Sequence, residues 1–214
     1  MSIPRVLLAD DHTLVLEGFR KLLEEHCELV GTSEDGRALI EAAERLEPDL
    51  VLLDISMPRL NGIDAARKLK KYHPAMKIIF VTMHADASYV NEAFKAGASG
   101  YLLKRSAAQE LVQAIQVVMN GDFYLTPLIT KDVISGLLTP GRTHLPAAED
   151  LTARQREILQ LVAEGYSAKE IASQLKISHR TIEFHKAKIM EELNLHTTAD
   201  LVKYAIAHGL VSAS

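Results

Sequence analysis

Five short apolar runs separated by helical periods set the strongest constraint on what this chain can fold into. Val6-Leu7-Leu8-Ala9, Leu50-Val51-Leu52-Leu53 and Ile78-Ile79-Phe80-Val81 are continuous. Two weaker runs, Glu28-Leu29-Val30-Gly31 and Gly100-Tyr101-Leu102-Leu103, follow the first and the last of them. Runs of this kind are the habit of strands covered on both faces, as in parallel sheets. Between them the apolar spacing becomes helical: Val15, Phe19, Leu22 and Leu23 share one face, as do Leu111, Ile115 and Val118. Strand and helix alternate about five times in roughly 120 residues, which predicts an α/β doubly wound sheet.

The pattern then changes. Residues 120–149 hold Gly121, Pro127, Gly136, Pro140, Gly141 and Pro146, and predict a linker over 122–150 with one helix from Leu128 to Leu138. From 151 onward there are only short helical periods with start signals. Thr152 precedes Gln155 by three and Ser167 precedes Glu170 by three, both capping boxes, and Thr197 with Asp200 is a weaker version. A chain of 214 residues holds two domains of this size, one over 1–121 and one over 151–214.

Composition narrows the class. No apolar run approaches the roughly 18 residues of a membrane span. The opening Met1-Ser2-Ile3-Pro4-Arg5 lacks the basic-then-apolar order of a signal peptide. A single cysteine, Cys27, excludes an intrachain disulfide and a cysteine-rich zinc site, and reads as a small apolar filler. A cytoplasmic protein without membrane association is expected. The formal charge of −4 divides unevenly: −5 over residues 1–150 and +1 over 151–214. Any nucleic-acid contact must therefore rest on local charge.

Ligands of open α/β sheets bind at the carboxyl ends of the strands. Asp10 and Asp11 follow the first run, Asp54 the run Leu50–Leu53, Thr82 the run Ile78–Val81, and Lys104 the last. Three carboxylates, a hydroxyl and an ammonium are thereby expected on one edge. Clustered carboxylates repel one another, and Mg²⁺, which takes a few carboxylates plus water and phosphate oxygens, relieves this. The chemistry that fits is phosphoryl transfer. Asp54, alone at the strand end nearest the sheet centre, attacks phosphorus and Asp10 and Asp11 hold the metal, while Lys104 and Thr82 stabilise the transferring group.

The run Leu53-Asp54-Ile55-Ser56-Met57-Pro58-Arg59-Leu60-Asn61-Gly62 resembles the phosphoacceptor segment of bacterial response-regulator receiver domains. Ala96-Gly97-Ala98-Ser99-Gly100-Tyr101-Leu102-Leu103-Lys104 resembles their fifth-strand segment, and Asp10-Asp11-His12 their acidic pair. The resemblance covers residues 3–120 and implies a flavodoxin-like five-stranded parallel sheet. It implies Asp54 as phosphoacceptor, with Asp11, Asp54 and the Ser56 backbone carbonyl as Mg²⁺ ligands and Asp10 orienting the metal's water. It further implies Thr82 and Lys104 on the phosphoryl group, and Tyr101 as an aromatic that changes position with Thr82. Two positions depart from the pattern: Met83 stands where many receivers have a small residue, and Arg105 where many have proline. Met83 is expected to gate access to Asp54, and His84, two residues after Thr82, to be an exposed loop histidine rather than one that tunes the lifetime of the phosphoryl state.

Residues 151–208 predict four short helices. The middle two, Ala168–Leu175 and His179–Leu193, are joined closely enough for a helix-turn-helix. On the second, Ile182, His185, Ile189 and Leu193 share the face expected to be buried. Arg180, Thr181, Phe184, Ala187, Lys188 and Glu191 share the other, with Glu183 at its edge. Phe184 gains nothing from its own domain's core there. Among Arg180, Lys186 and Lys188 it fits a helix in a major groove, where cations meet phosphates and apolar groups meet thymine methyls. Leu151-Thr152-Ala153-Arg154-Gln155-Arg156-Glu157, Glu170-Ile171-Ala172 with Leu175, and Ser178 with Arg180-Thr181-Ile182-Glu183 and His185 resemble LuxR-type helix-turn-helix domains. By that resemblance Glu183, Phe184, Ala187 and Lys188 face bases or nearby phosphates, and Lys169, Arg180 and Thr181 contact the backbone.

The whole chain resembles a response regulator of the NarL/FixJ class. This implies a transcription regulator, not a conventional turnover enzyme. Its implied partners are a sensor histidine kinase, duplex DNA carrying an inverted repeat, a second copy of the chain on phosphorylation, and RNA polymerase. Two other readings use the same residues: a receiver governing a protein- or RNA-binding module, and a Mg²⁺-dependent phosphohydrolase with Asp54 as nucleophile.

Overall fold

The computed structural model describes residues 3–138 and 151–211, which form two compact units. The part of the expected linker over 139–150 lies outside the described residues.

The first unit is built on β1 (Arg5–Ala9), β2 (Glu28–Ser33), β3 (Leu50–Leu53), β4 (Lys77–Thr82), β5 (Gly100–Leu103) and β6 (Tyr124–Leu125). Between them run α1 (Thr13–Leu23), α2 (Gly36–Leu46), α3 (Gly62–Tyr72), α4 (Ala87–Lys95) and α5 (Lys104–Met119), and α6 (Pro127–Leu138) follows β6. All strand pairs are parallel, in the order β2-β1-β3-β4-β5-β6. The expectation of five strands is corrected to six. Tyr124 and Leu125, read from the sequence as linker, pair with Gly100 and Tyr101. Two residues are too few to show a period, and backbone pairing alone recruits them.

The period-two rule explains why the runs are continuous. Val6, Leu8, Leu50, Leu52, Ile79, Val81 and Leu102 pack with Leu16, Phe19 and Leu23 of α1 and Leu111, Ile115 and Val118 of α5. The alternate residues Leu7, Val51, Leu53, Phe80 and Tyr101 are equally buried, on the face covered by α2, α3 and α4. Cys27 is buried filler in the first layer, and burial pushes its thiol pKa up. The registers Ala9↔Leu53, Leu53↔Phe80 and Thr82↔Leu103 align the carboxyl ends of the central strands. The chain reverses direction across the sheet between β1 and β3, where such folds open a crevice.

The second unit comprises α7 (Ala153–Ala163), α8 (Ala168–Leu175), α9 (His179–Glu192) and α10 (Thr198–Ala207). Its core is formed by Leu151, Ile158, Leu161, Ile171, Leu175, Ile182, Ile189, Leu201, Ala205 and neighbours. The expected capping boxes at Thr152/Gln155, Ser167/Glu170 and Thr197/Asp200 are all formed. Helix α8 ends on Lys176 in the left-handed region (φ 53°), and Ser178 caps α9 by accepting from the Thr181 N–H at 3.0 Å. A left-handed C-cap followed two residues later by an N-cap turns the chain sharply enough to pack α9 on α8.

Candidate functional site

Strand-end alignment brings the predicted acidic residues together. Lys104, the first residue of α5, places Nζ 2.7 Å from Asp10 Oδ2 and 2.7 Å from Asp54 Oδ2. Both carboxylates are buried, whereas Asp11 at the rim is exposed. Burial opposes the charge on Lys104, but the Asp54 and Asp10 carboxylates outweigh it and hold the ammonium above its ordinary pKa. The remaining Asp54 oxygen, Oδ1, accepts from the Ile55 N–H at 2.7 Å, and the Asp54 N–H donates to the Ala9 carbonyl. The loop that follows closes on itself: the Ile55 carbonyl accepts from the N–H groups of Met57 and Gly62. Gly62 is required there, because a Cβ would lie 2.0 Å from the Asp54 carbonyl oxygen.

Asp10, Asp11 and Asp54 offer donor atoms within 4.8 Å of one another, and His12 joins them, a fourth donor not expected from the sequence. His12 Nδ1 lies 3.1 Å from Asp10 Oδ1 and 2.8 Å from Asp11 Oδ1. Three carboxylates against one ammonium leave two formal negative charges. The oxygen-rich donor set and that imbalance suit a hard divalent cation such as Mg²⁺.

Thr82 is fully buried at the end of β4, and its Oγ1 accepts from the His84 N–H at 3.4 Å. Tyr101, also fully buried, donates its hydroxyl to the His84 carbonyl at 3.0 Å. Burial, with the charges of nearby acids, pushes the Tyr101 phenol far above its ordinary pKa. The backbone of one residue thus stands between Thr82 and Tyr101. His84 is not the exposed loop histidine expected. It is half-buried, stacks on Tyr89 at 4.1 Å, and meets the Ser56 hydroxyl through Nε2 at 2.8 Å. Desolvation lowers its pKa, against the pull of the Asp54 and Asp86 carboxylates. Only the two-residue spacing from Thr82 hinted at this position. Met83, expected to gate Asp54, is exposed.

In the second unit the faces of α9 separate as the helical wheel requires, except that Thr181, expected on the exposed face, is half-buried. Ile182 and Ile189 are buried, and His185, Thr181 and Leu193 half-buried. Arg180, Glu183, Phe184, Ala187, Lys188 and Glu191 are exposed, as is Lys169 on α8. Phe184 is 64% exposed and meets His185 edge-on, with ring centroids 5.8 Å apart. Lys188 reaches Glu192 at 3.6 Å and Glu183 reaches His179 at 3.7 Å. Such exposed pairs are weak and leave the side chains available to a partner.

These two sites on these two folds define a protein class, an α/β domain with an acidic strand-end pocket followed by a helix-turn-helix domain. The family of response regulator receiver domains matches residues 6–116, and the luxR family of bacterial regulatory proteins matches residues 149–205. The chain is 36% identical over 210 residues to the transcriptional regulatory protein MctR of Rhizobium johnstonii, covering 97% of this chain and 95% of that one. It is 34% identical over 214 residues to the oxygen regulatory protein NreC of Staphylococcus carnosus, covering 97% and 99%. Among solved structures, RcsB from Salmonella enterica serovar Typhimurium, bound to promoter rprA in the presence of phosphomimetic BeF3⁻, is 29% identical. It has a TM-score of 0.58 over 95% of this chain and 98% of that one. The chain belongs to the response regulators of NarL/FixJ type, DNA-binding transcription regulators built from a receiver and a LuxR-type helix-turn-helix domain. Among the described residues no helix is long and apolar enough to cross a membrane.

Proposed function

We propose that Asp54 accepts a phosphoryl group from a phosphohistidine of a sensor kinase, and that the acyl phosphate so formed controls how the α9 face reads DNA. Receiver chemistry is assigned to 1–121 and DNA reading to 151–214, with 122–150 between them. The carrying observation is the Lys104 bridge to Asp54 and Asp10, beside buried Thr82, at the aligned strand ends.

In the transfer an Asp54 oxygen attacks phosphorus. The P–N bond to the donor imidazole breaks, the O–P bond forms, and the leaving nitrogen takes a proton from solvent. Asp10, Asp11, Asp54 and the Ser56 carbonyl would hold Mg²⁺, which when bound neutralises charge on the transferring group. Lys104 starts on Asp54 Oδ2 and follows the negative charge onto a phosphoryl oxygen. The Thr82 hydroxyl turns to a second phosphoryl oxygen and gives up the His84 N–H. Tyr101, held by the His84 carbonyl, then changes position with it.

Such a change acts only on states that differ in these contacts. The states are a free form and a homodimer whose two α9 helices enter successive major grooves of an inverted repeat. Lys169, Arg180 and Thr181 contact phosphates, and Glu183, Phe184, Ala187 and Lys188 face base edges or nearby phosphates. Intact-mass measurement of the full chain with acetyl phosphate and Mg²⁺ tests the acceptor. One phosphoryl group per chain is expected, and none on Asp54→Asn. An unchanged gain on the variant would move the nucleophile elsewhere.

A further inference from the structure

We propose that Thr126 is the joint through which the state of the acceptor pocket reaches α6, the last described element before the DNA-binding domain. The proposal rests on the phosphoacceptor reading above and adds a route that the reading does not contain.

Thr126 is fully buried between β6 and α6, and each of its polar groups is committed to a different element. Its N–H donates to the carbonyl of Tyr101 on β5 at 2.9 Å. Its hydroxyl donates to the Glu110 carboxylate of α5 and lies 3.0 Å from Ser106 Oγ of the same helix. Its carbonyl accepts from the Ile129 N–H at 3.3 Å and from the Thr130 hydroxyl at 3.1 Å, both in the opening turns of α6. With the Thr126 hydroxyl donating to Glu110, its oxygen is left to accept. The Ser106 proton is then shared between Thr126 and the Leu103 carbonyl, 3.1 Å away. Tyr124 adds a second donor to Glu110 at 3.1 Å, and burial together with that carboxylate pushes its phenol up to about 12.

This network begins where the acceptor pocket ends. Tyr101 offers its side chain to His84, in the Thr82 network, and its backbone carbonyl to Thr126. Lys104, bound to Asp54, stands two residues before Ser106. A shift of Tyr101 with Thr82 therefore acts on one anchor of Thr126, and a shift of Lys104 from Asp54 to a phosphoryl oxygen acts on the other. Buried polar networks of this kind have few alternative arrangements, because a lost partner leaves a desolvated group. The response passes to the start of α6, whose flank also packs on α4.

The test is hydrogen exchange of peptides covering 127–138 in the full chain, before and after acetyl phosphate with Mg²⁺, on the wild type and on Thr126→Val and Thr126→Ser. In the wild type, phosphorylation should change α6 exchange several-fold. Thr126→Val should keep its phosphoryl mass gain and lose that difference between states. Thr126→Ser, which retains the hydroxyl, should restore it. A purely structural latch would instead loosen α6 equally in both states and leave the difference intact, which overturns the proposal. Glu110→Gln carries the same comparison should Thr126→Val expose the sheet. A wild type that gains the phosphoryl group without any change in α6 overturns the coupling alone; one that gains none overturns the acceptor reading and the coupling with it.

Discussion

Replacing Lys104 with methionine is the most informative perturbation of the pocket. The side chains of Asp10 and Asp54 are each 4% exposed, and Lys104 Nζ sits 2.7 Å from both. Methionine fills similar space and removes the cation, leaving two nearly dry carboxylates facing one another. Breaking a buried ion pair by deleting one partner costs about 3–5 kcal/mol, a large share of the roughly 5–15 kcal/mol that holds a domain folded. The loss should depend on pH with a definite sign. In the variant two like charges share a desolvated site, and neutralising one of them removes the repulsion. Stability is then regained as pH falls. In the wild type the group with a raised pKa is Lys104 itself. Its contribution is fully present below the ordinary lysine value of about 10.4 and disappears as pH rises through the folded-state value. Urea titration read by hydrogen exchange of the β1 and β3 peptides resolves the receiver from the second domain. Lys104→Met should show the deficit at about pH 7.5 and a smaller one at about pH 5, with part of it returned by Mg²⁺. An unchanged midpoint, or an equal deficit at both pH values, would refute the electrostatic account of the pocket.

Gly62→Ala places a methyl 2.0 Å from the Asp54 carbonyl oxygen; the loop must shift, costing about 1–3 kcal/mol or more. Calorimetric titration should show weaker Mg²⁺ binding, and an unaltered isotherm would mean the loop geometry is irrelevant to the metal. Phe184→Ala should leave domain stability within about 0.5 kcal/mol, because the ring is mostly exposed. It should relax sequence preference by about 1–3 kcal/mol in competition binding; unchanged preference would remove Phe184 from base reading. Lys188→Ala should weaken binding to all duplexes and lower the salt slope by about 1, whereas an identical slope would take Lys188 off the phosphates.

Much of the receiver is legible because its signals are local. Continuous apolar runs mark the doubly covered strands, and the residue after each run marks the strand end, so the meeting of Asp10, Asp54 and Lys104 at one edge is legible in the sequence. The three capping boxes likewise need only a spacing of three residues. What escaped depends on partners distant in sequence. His84 stacks on nearby Tyr89 but bonds to Ser56 and Tyr101, 28 and 17 residues away, and a histidine two residues past a strand carries no sign of the distant pair. Strand β6 is two residues held by backbone bonds to β5. The Glu110–Thr126 pair spans 16 residues between elements whose packing the sequence leaves open.

Whether phosphorylation of Asp54 governs DNA reading by α9 is decided by selecting random duplex DNA on the full chain. The selection is run with and without acetyl phosphate and Mg²⁺, beside Asp54→Asn. An enriched inverted repeat should tighten on phosphorylation of the wild type and stay unresponsive in the variant. An enriched site indifferent to phosphorylation would contradict the control, and no enriched site in either state would contradict the assignment of α9 as the reading helix.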